Sequence, residues 1–309
     1  MSKLNSSIAF VLLVSIFLLS LLFASYQTKD LWIILFFIVL TTSTAITTIR
    51  LFNNQAFGTK LNEYPKAMLA VVIGALATFY LAKFGMSAVL ASALIGIGGS
   101  LLFKRYEIEI FTGSFVGMSS IVFFNDGGIL AASVISAVAY LMGKNVFVGI
   151  GGKLGSSAFI GTLLVAFLAG VDVVNFDNAL INTSLPIWFI VIALIVSAIA
   201  SIVTNQMAQR WFKGSTVLGS SVAGILGYLL SLSFGGLGGL FAGTIYAATF
   251  AGMSQNKVLK SPLFFAIAGS ITAVIFLASS TYFLGLGGKM GTSAFIGVLA
   301  TVIIIRKTK

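Results

Sequence analysis

The chain has 309 residues, of which 59% are strongly apolar and only 8% are charged. That composition cannot furnish the polar surface of a soluble fold, and the apolar residues run through the whole chain instead of one core-forming region. With no cysteine and no histidine, the sequence excludes disulfides, thiol redox chemistry, thiolate metal sites and imidazole proton shuttles.

Twelve apolar stretches follow one another: 8–26, 31–49, 65–82, 86–103, 108–124, 128–149, 157–171, 186–205, 215–234, 238–254, 261–286 and 292–305. Most approach the roughly 20 residues that a helix needs to cross the hydrocarbon layer. Stretches 108–124, 157–171 and 292–305 are shorter and read as short spans, tilted interior helices or re-entrant pieces. The first stretch lacks a persuasive cleavage site before Lys29 and reads as a retained span, not a signal peptide. The expected class is an all-α polytopic membrane protein with about 12 membrane helices.

The formal charge of +11 is strung between the apolar stretches, so it bears on membrane orientation and not on nucleic acid. With twelve spans and a cytoplasmic N-terminus, fifteen Lys and Arg residues fall inside, among them Arg50, Lys104, Arg105, Lys144, Lys153, Arg210 and Lys257. Three fall outside: Lys29, Lys83 and Lys289. This positive-inside bias predicts both termini in the cytoplasm, with a bacterial inner (plasma) membrane as the expected location.

The strongest signal is internal. Residues 149–163 read GIGGKLGSSAFIGTL and residues 285–299 read GLGGKMGTSAFIGVL, identical at eleven of fifteen positions. Upstream, FTGSFVGMS at 111–119 matches YAATFAGMS at 246–254 with nearly the same offset. The expected organisation is an N-terminal helix pair over 1–64, repeat one over 65–171 and repeat two over 186–305. Each repeat holds five apolar stretches, an odd number, so the two copies are expected to enter the membrane in opposite orientations. This inverted-repeat plan recurs in secondary transporters.

In the first motif, Gly151, Gly152 and Gly155, matched by Gly287, Gly288 and Gly291, precede an expected helix start carrying Ser156 and Thr292. Such hydroxyls cap orphan N–H groups, and a helix N-terminus attracts anions, a field that Lys153 and Lys289 would strengthen. The bland reading is a tight interfacial turn with a lysine snorkelling to water. The order GGKLGSS is not a nucleotide P-loop. In the second motif, Phe115 and Phe250 are candidates for a paired constriction, and Ser114, Ser119, Thr249 and Ser254 for solute contact along a pathway. The bland reading there is close helix packing through small residues.

Glu107 and Glu109 read as helix-start acids, and Lys144, which interrupts a long apolar run, has only Ser280 as its counterpart. No acidic residue falls in the middle of an expected span, so a proton relay on a buried carboxylate lacks support. No HExxH, no GxSxG and no paired intramembrane aspartates are present, which argues against an enzyme. The sequence calls for no cofactor, no metal and no nucleic acid, with the lipid bilayer and a small solute as partners and a homo-oligomer as a compatible state. The expected function is a channel or uncoupled transporter for a small solute, with a small anion favoured by the basic helix starts. The alternatives are a facilitator of a small polar neutral solute and a structural or regulatory membrane protein.

Overall fold

The computed structural model describes residues 64–171 and 185–307, with isolated helical positions between 15 and 45. The expected N-terminal pair, 8–26 and 31–49, lies largely outside the described residues. Ten α-helices lie among those described: α1 (Tyr64–Lys83), α2 (Ala88–Leu102), α3 (Glu107–Gly117), α4 (Asp126–Gly143), α5 (Lys153–Leu168), α6 (Ile187–Arg210), α7 (Thr216–Ser231), α8 (Gly238–Gly252), α9 (Pro262–Ala278) and α10 (Lys289–Lys307). Two short 3₁₀ turns, Lys104–Tyr106 and Leu232–Leu237, lead into α3 and α8.

Local chemistry sets several of these boundaries. The Asn125 side chain accepts from Gly128 N–H at 2.7 Å to start α4, and Ser215 Oγ accepts from Leu218 N–H at 3.2 Å to start α7. Pro262 occupies the first turn of α9, where its missing N–H costs nothing. Two apolar stretches end as helices sooner than their composition predicts. The 128–149 stretch stops at Gly143, and 261–286 stops at Ala278. Beyond each lies a tight turn holding a phenylalanine at positive φ, Phe147 at 53° and Phe283 at 52°, a conformation no helix accommodates.

The 108–124 stretch is corrected most. Its helix, α3, has only 11 residues, about 16 Å at 1.5 Å per residue, so it does not cross a bilayer alone. The 157–171 and 292–305 stretches lengthen instead, because their helices begin earlier, at Lys153 and Lys289.

The same packing appears in both halves. Helix α1 lies against α3 and α4, as α6 lies against α8 and α9; α4 pairs with α5 as α9 pairs with α10. The halves meet where α2 packs on α7 and α5 on α10. Among the described residues, four segments are long and apolar enough to cross a membrane: Tyr64–Lys83, Asp126–Gly143, Ile187–Arg210 and the run Thr216–Gly252, which is broken at Gly235. With large apolar side chains such as Leu101, Phe167, Ile187 and Leu263 exposed on the outside, these helices describe a membrane-embedded α-helical protein.

Glycine lets the helices of each half approach to backbone contact. A Cβ added at Gly117 would fall 2.3 Å from Ala75 O, and one at Gly252 would fall 2.4 Å from Ser201 O. Gly117→Ala and Gly252→Ala are therefore each expected to lower stability by about 1–3 kcal/mol through overpacking. Gly98→Ala, where an added methyl meets nothing within 4 Å, is expected to be neutral. Thermal unfolding of the purified variants in detergent separates the two cases.

Candidate functional site

The two glycine–lysine motifs meet at the middle of the molecule. Helix α5 starts just after Gly152 (φ 82°) and α10 just after Gly288 (φ 86°), and the two helices run antiparallel past each other. A Cβ at Gly155 would lie 2.6 Å from Gly291 Cα, and one at Gly291 would lie 2.5 Å from Gly155 Cα. Only glycine permits a crossing this close. Gly152 also packs against the backbone of Phe295, and Gly288 against that of Phe159.

The hydroxyls of the motif do not cap these helices. Ser156 Oγ donates to Gly152 O and Thr292 Oγ1 to Gly288 O, both at 3.3 Å, one turn back along the helix. The helices begin three residues earlier than the hydroxyls, which leaves the i−4 carbonyl as the nearest acceptor. Lysine instead serves the end of the preceding helix. Lys153 Nζ donates to Gly143 O (3.3 Å), Lys144 O (2.9 Å) and Val146 O (3.0 Å), beyond the end of α4. Lys289 Nζ donates to Ser279 O and to Tyr282 O (2.7 Å), beyond the end of α9. Both ammonium groups thus meet carbonyls at and just past a helix C-terminus, two of which, Gly143 O and Ser279 O, also accept a turn N–H. Lys289 is buried and Lys153 half-buried.

The structure brings Phe115 and Phe250 together. Their ring centroids are 4.7 Å apart at 54°, flanked by Phe111 (4.5 Å from Phe115) and Tyr246 (4.6 Å from Phe250). The four candidate hydroxyls do other work. Ser119 Oγ accepts from Gly287 N–H (3.0 Å), and Ser254 Oγ accepts from Gly151 N–H (2.9 Å), so each half closes a buried amide of the other. Backbone bonds repeat the exchange: Ser120 N–H to Gly285 O (2.8 Å) and Gln255 N–H to Gly149 O (2.9 Å). Ser114 shares a hydrogen bond with Ser92, and Thr249 with Ser220, both at 2.8 Å. All four are buried and none lines a cavity described below.

Two cavities reach the aromatic pair. One, about 490 Å³, is bordered by Tyr140, Lys144, Lys153, Gln209, Met253 and Gln255. The other, about 330 Å³, is bordered by Met118, Leu240, Phe276, Ser280, Lys289 and Met290. Phe115 and Phe250 line both. The cavities share the wall formed by the repeated motif, 149–155 in one and 285–291 in the other, but their chemistry differs. Glu109, buried at 5% exposure, accepts on Oε1 from Tyr140 OH (2.9 Å) and pairs with Lys144 Nζ (3.3 Å). At the matching positions the second half has Thr244, Phe276 and Ser280. Sequence reading missed this trio because Glu109 lies far from Lys144 along the chain. The available signal was that all three matched positions differ in polarity between the copies. It also missed the likeness of VLASALIGIGG (89–99) to VLGSSVAGILG (217–227), which places Ser92 and Ser220 in equivalent roles.

Among the described residues no group of three or more Asp, Glu, His or Cys side chains gathers as a metal site would require. Comparison with known proteins gave no matching family model, no matching curated protein and no matching solved structure.

Ser119→Ala and Ser254→Ala each strand a buried N–H, at a cost of about 1–3 kcal/mol. Both variants are expected to unfold earlier than the wild type in detergent. Ser157→Ala, which removes only a bond to a carbonyl already in the helix, is expected to change stability by less.

Proposed function

We propose that the chain is a channel or uncoupled transporter for a small solute, whose pathway passes between two inverted repeats, 65–171 and 186–305, at the Phe115–Phe250 pair. The observation that carries this reading is that one aromatic pair, its rings in contact, lines both cavities; in this reading a shift of the two rings would join them. Irregular backbone at the centre of a membrane protein is tolerated where protein buries it or a cavity meets it, and the turns before Lys153 and Lys289 have that setting. The reciprocal bonds between the copies support a two-fold relation. With α3 and its flanking segments counted as one passage through the layer, the odd number of elements per copy and the positive-inside bias support an axis in the membrane plane and both termini in the cytoplasm. The ends bearing Lys104, Arg105, Lys144 and Arg210 would face the cytoplasm of a bacterial inner membrane, and the Lys83–Asp126 pair, 3.1 Å apart, the outside.

A small anion fits because each cavity has one lysine of the repeated motif in its wall. The helix N-termini there favour negative charge. A small polar neutral solute is the second reading, favoured by the carbonyl partners that already engage both ammonium groups.

In liposomes, Phe115→Ala combined with Phe250→Ala is expected to raise the flux of small solutes by at least about tenfold, a barrier change of about 1.4 kcal/mol, and to relax size selection. Flux equal to that of wild type would remove the constriction from the pathway. Because the chain lacks cysteine, single cysteines report orientation without background. A cysteine replacing the exposed Phe84 is expected to react with an impermeant maleimide from outside the cell, and one replacing the exposed Lys104 only after the cytoplasmic side is opened. The opposite pattern would reverse the orientation.

A further inference from the structure

We propose that the cavity beside α4 is a one-sided binding site for a small carboxylate with an apolar body, captured when Lys144 exchanges Glu109 for the ligand. This rests on the pathway reading and gives it a substrate class.

The geometry separates the two members of the ion pair. The Glu109 side chain is 7% exposed and fixed by Tyr140, whereas the Lys144 side chain is 44% exposed and lines the cavity. Only the Lys144 end of this 3.3 Å pair is exposed, so an incoming carboxylate can reach Lys144 from the cavity, and its own contact with the ammonium must offset what buried Glu109 loses. Tyr140 OH remains to satisfy the buried Glu109. The charged side chains lining this wall are Lys144 and Lys153; with Glu109 behind Lys144, the group carries an excess of one positive charge that a monoanion balances. Glu107, the other acid near this end, is engaged by Ser215 Oγ at 2.8 Å. Phe115, Phe250 and Met253 form an apolar floor, and the amides of Gln209 and Gln255 stand in the wall. A few polar groups converging above an apolar floor are what a small-molecule site requires. The other cavity has Phe276 and Ser280 where this one has Tyr140 and Lys144, so carboxylate capture belongs to one face only.

Benzoate and its neutral isostere benzamide test the idea, by calorimetric titration of the purified full chain in detergent. Wild-type protein is expected to bind benzoate about tenfold more tightly than benzamide, the scale of one charge-assisted contact. Lys144→Gln should erase that preference, and Lys144→Arg should largely restore it. Glu109→Gln should tighten benzoate binding roughly two- to fivefold by freeing Lys144 from its competitor, with benzamide unchanged. A purely structural ion pair predicts otherwise, since either substitution breaks it and both would shift benzoate binding in one direction. Equal binding of the two ligands by wild type, or parallel shifts in Lys144→Gln and Glu109→Gln, would overturn the proposal. If Lys144→Gln does not fold, Glu109→Gln decides alone, and benzoate binding that is unchanged or weaker counts against it. The titration involves no flux. A failed liposome assay with the aromatic variants would therefore remove the pathway while leaving this binding result to be judged separately.

Discussion

The rest of the molecule depends on one contact, the crossing of α5 and α10 at Gly155 and Gly291. Two helix backbones touch there with no side chain between them. Before each of these helices the chain leaves the helical path at Gly143 or Ala278 and returns through a turn with left-handed residues. Those turns expose carbonyls, and Lys153 and Lys289 are placed to meet them. The turns also push Gly151 and Gly287 against the ends of α8 and α3, where a Cβ would collide with Phe250 O or Phe115 O at 2.2 Å. The aromatic pair is thereby held from both sides by backbone, which fixes its position better than side-chain packing alone.

On this matched frame the two cavities have diverged. Backbone bonds, glycines and aromatic contacts recur in both halves: Phe147 meets Phe295 and Phe159 meets Phe283, each at 5.3 Å. The polar trio of Glu109, Tyr140 and Lys144 does not recur. Where the second half has lost charge, it has gained an aromatic cluster: Phe189, Phe234 and Phe241 pack with Trp188 around the 3₁₀ turn before α8. The turn before α8 has glycines, including Gly235 at φ 52°, where the turn before α3 has Lys104 and Arg105. The repeated sequence accounts for the shared architecture, and differences at a few wall positions account for the unlike chemistry of the two cavities.

The helical membrane class was legible because hydrophobicity alone decides it, and the duplicated motifs were legible because eleven of fifteen identities leave little room for chance. Pairing of Phe115 with Phe250 could be expected from their equivalent places in the copies. The helix starts at Lys153 and Lys289 were not, since a lysine beside two glycines reads as interfacial turn; what draws it into a helix is a set of carbonyls contributed by a different element. The partners of the hydroxyls were hidden for a related reason. Ser119 and Ser254 recur because each must satisfy an amide in the other copy, and recurrence in sequence does not distinguish that duty from contact with a solute. Glu109 was hidden by its position near a helix start, where an acid is ordinary; only the fold shows it buried.

The exchanged amides also bear on how the chain is made. Gly151 N–H is completed by Ser254, 103 residues later. At synthesis rates of about 5–20 residues per second, the first half emerges roughly 5–20 s before that partner exists. Gly287, by contrast, finds Ser119 already made, 168 residues before it. The first half is thus provisional while it is being inserted, and the arrival of the second completes both at once.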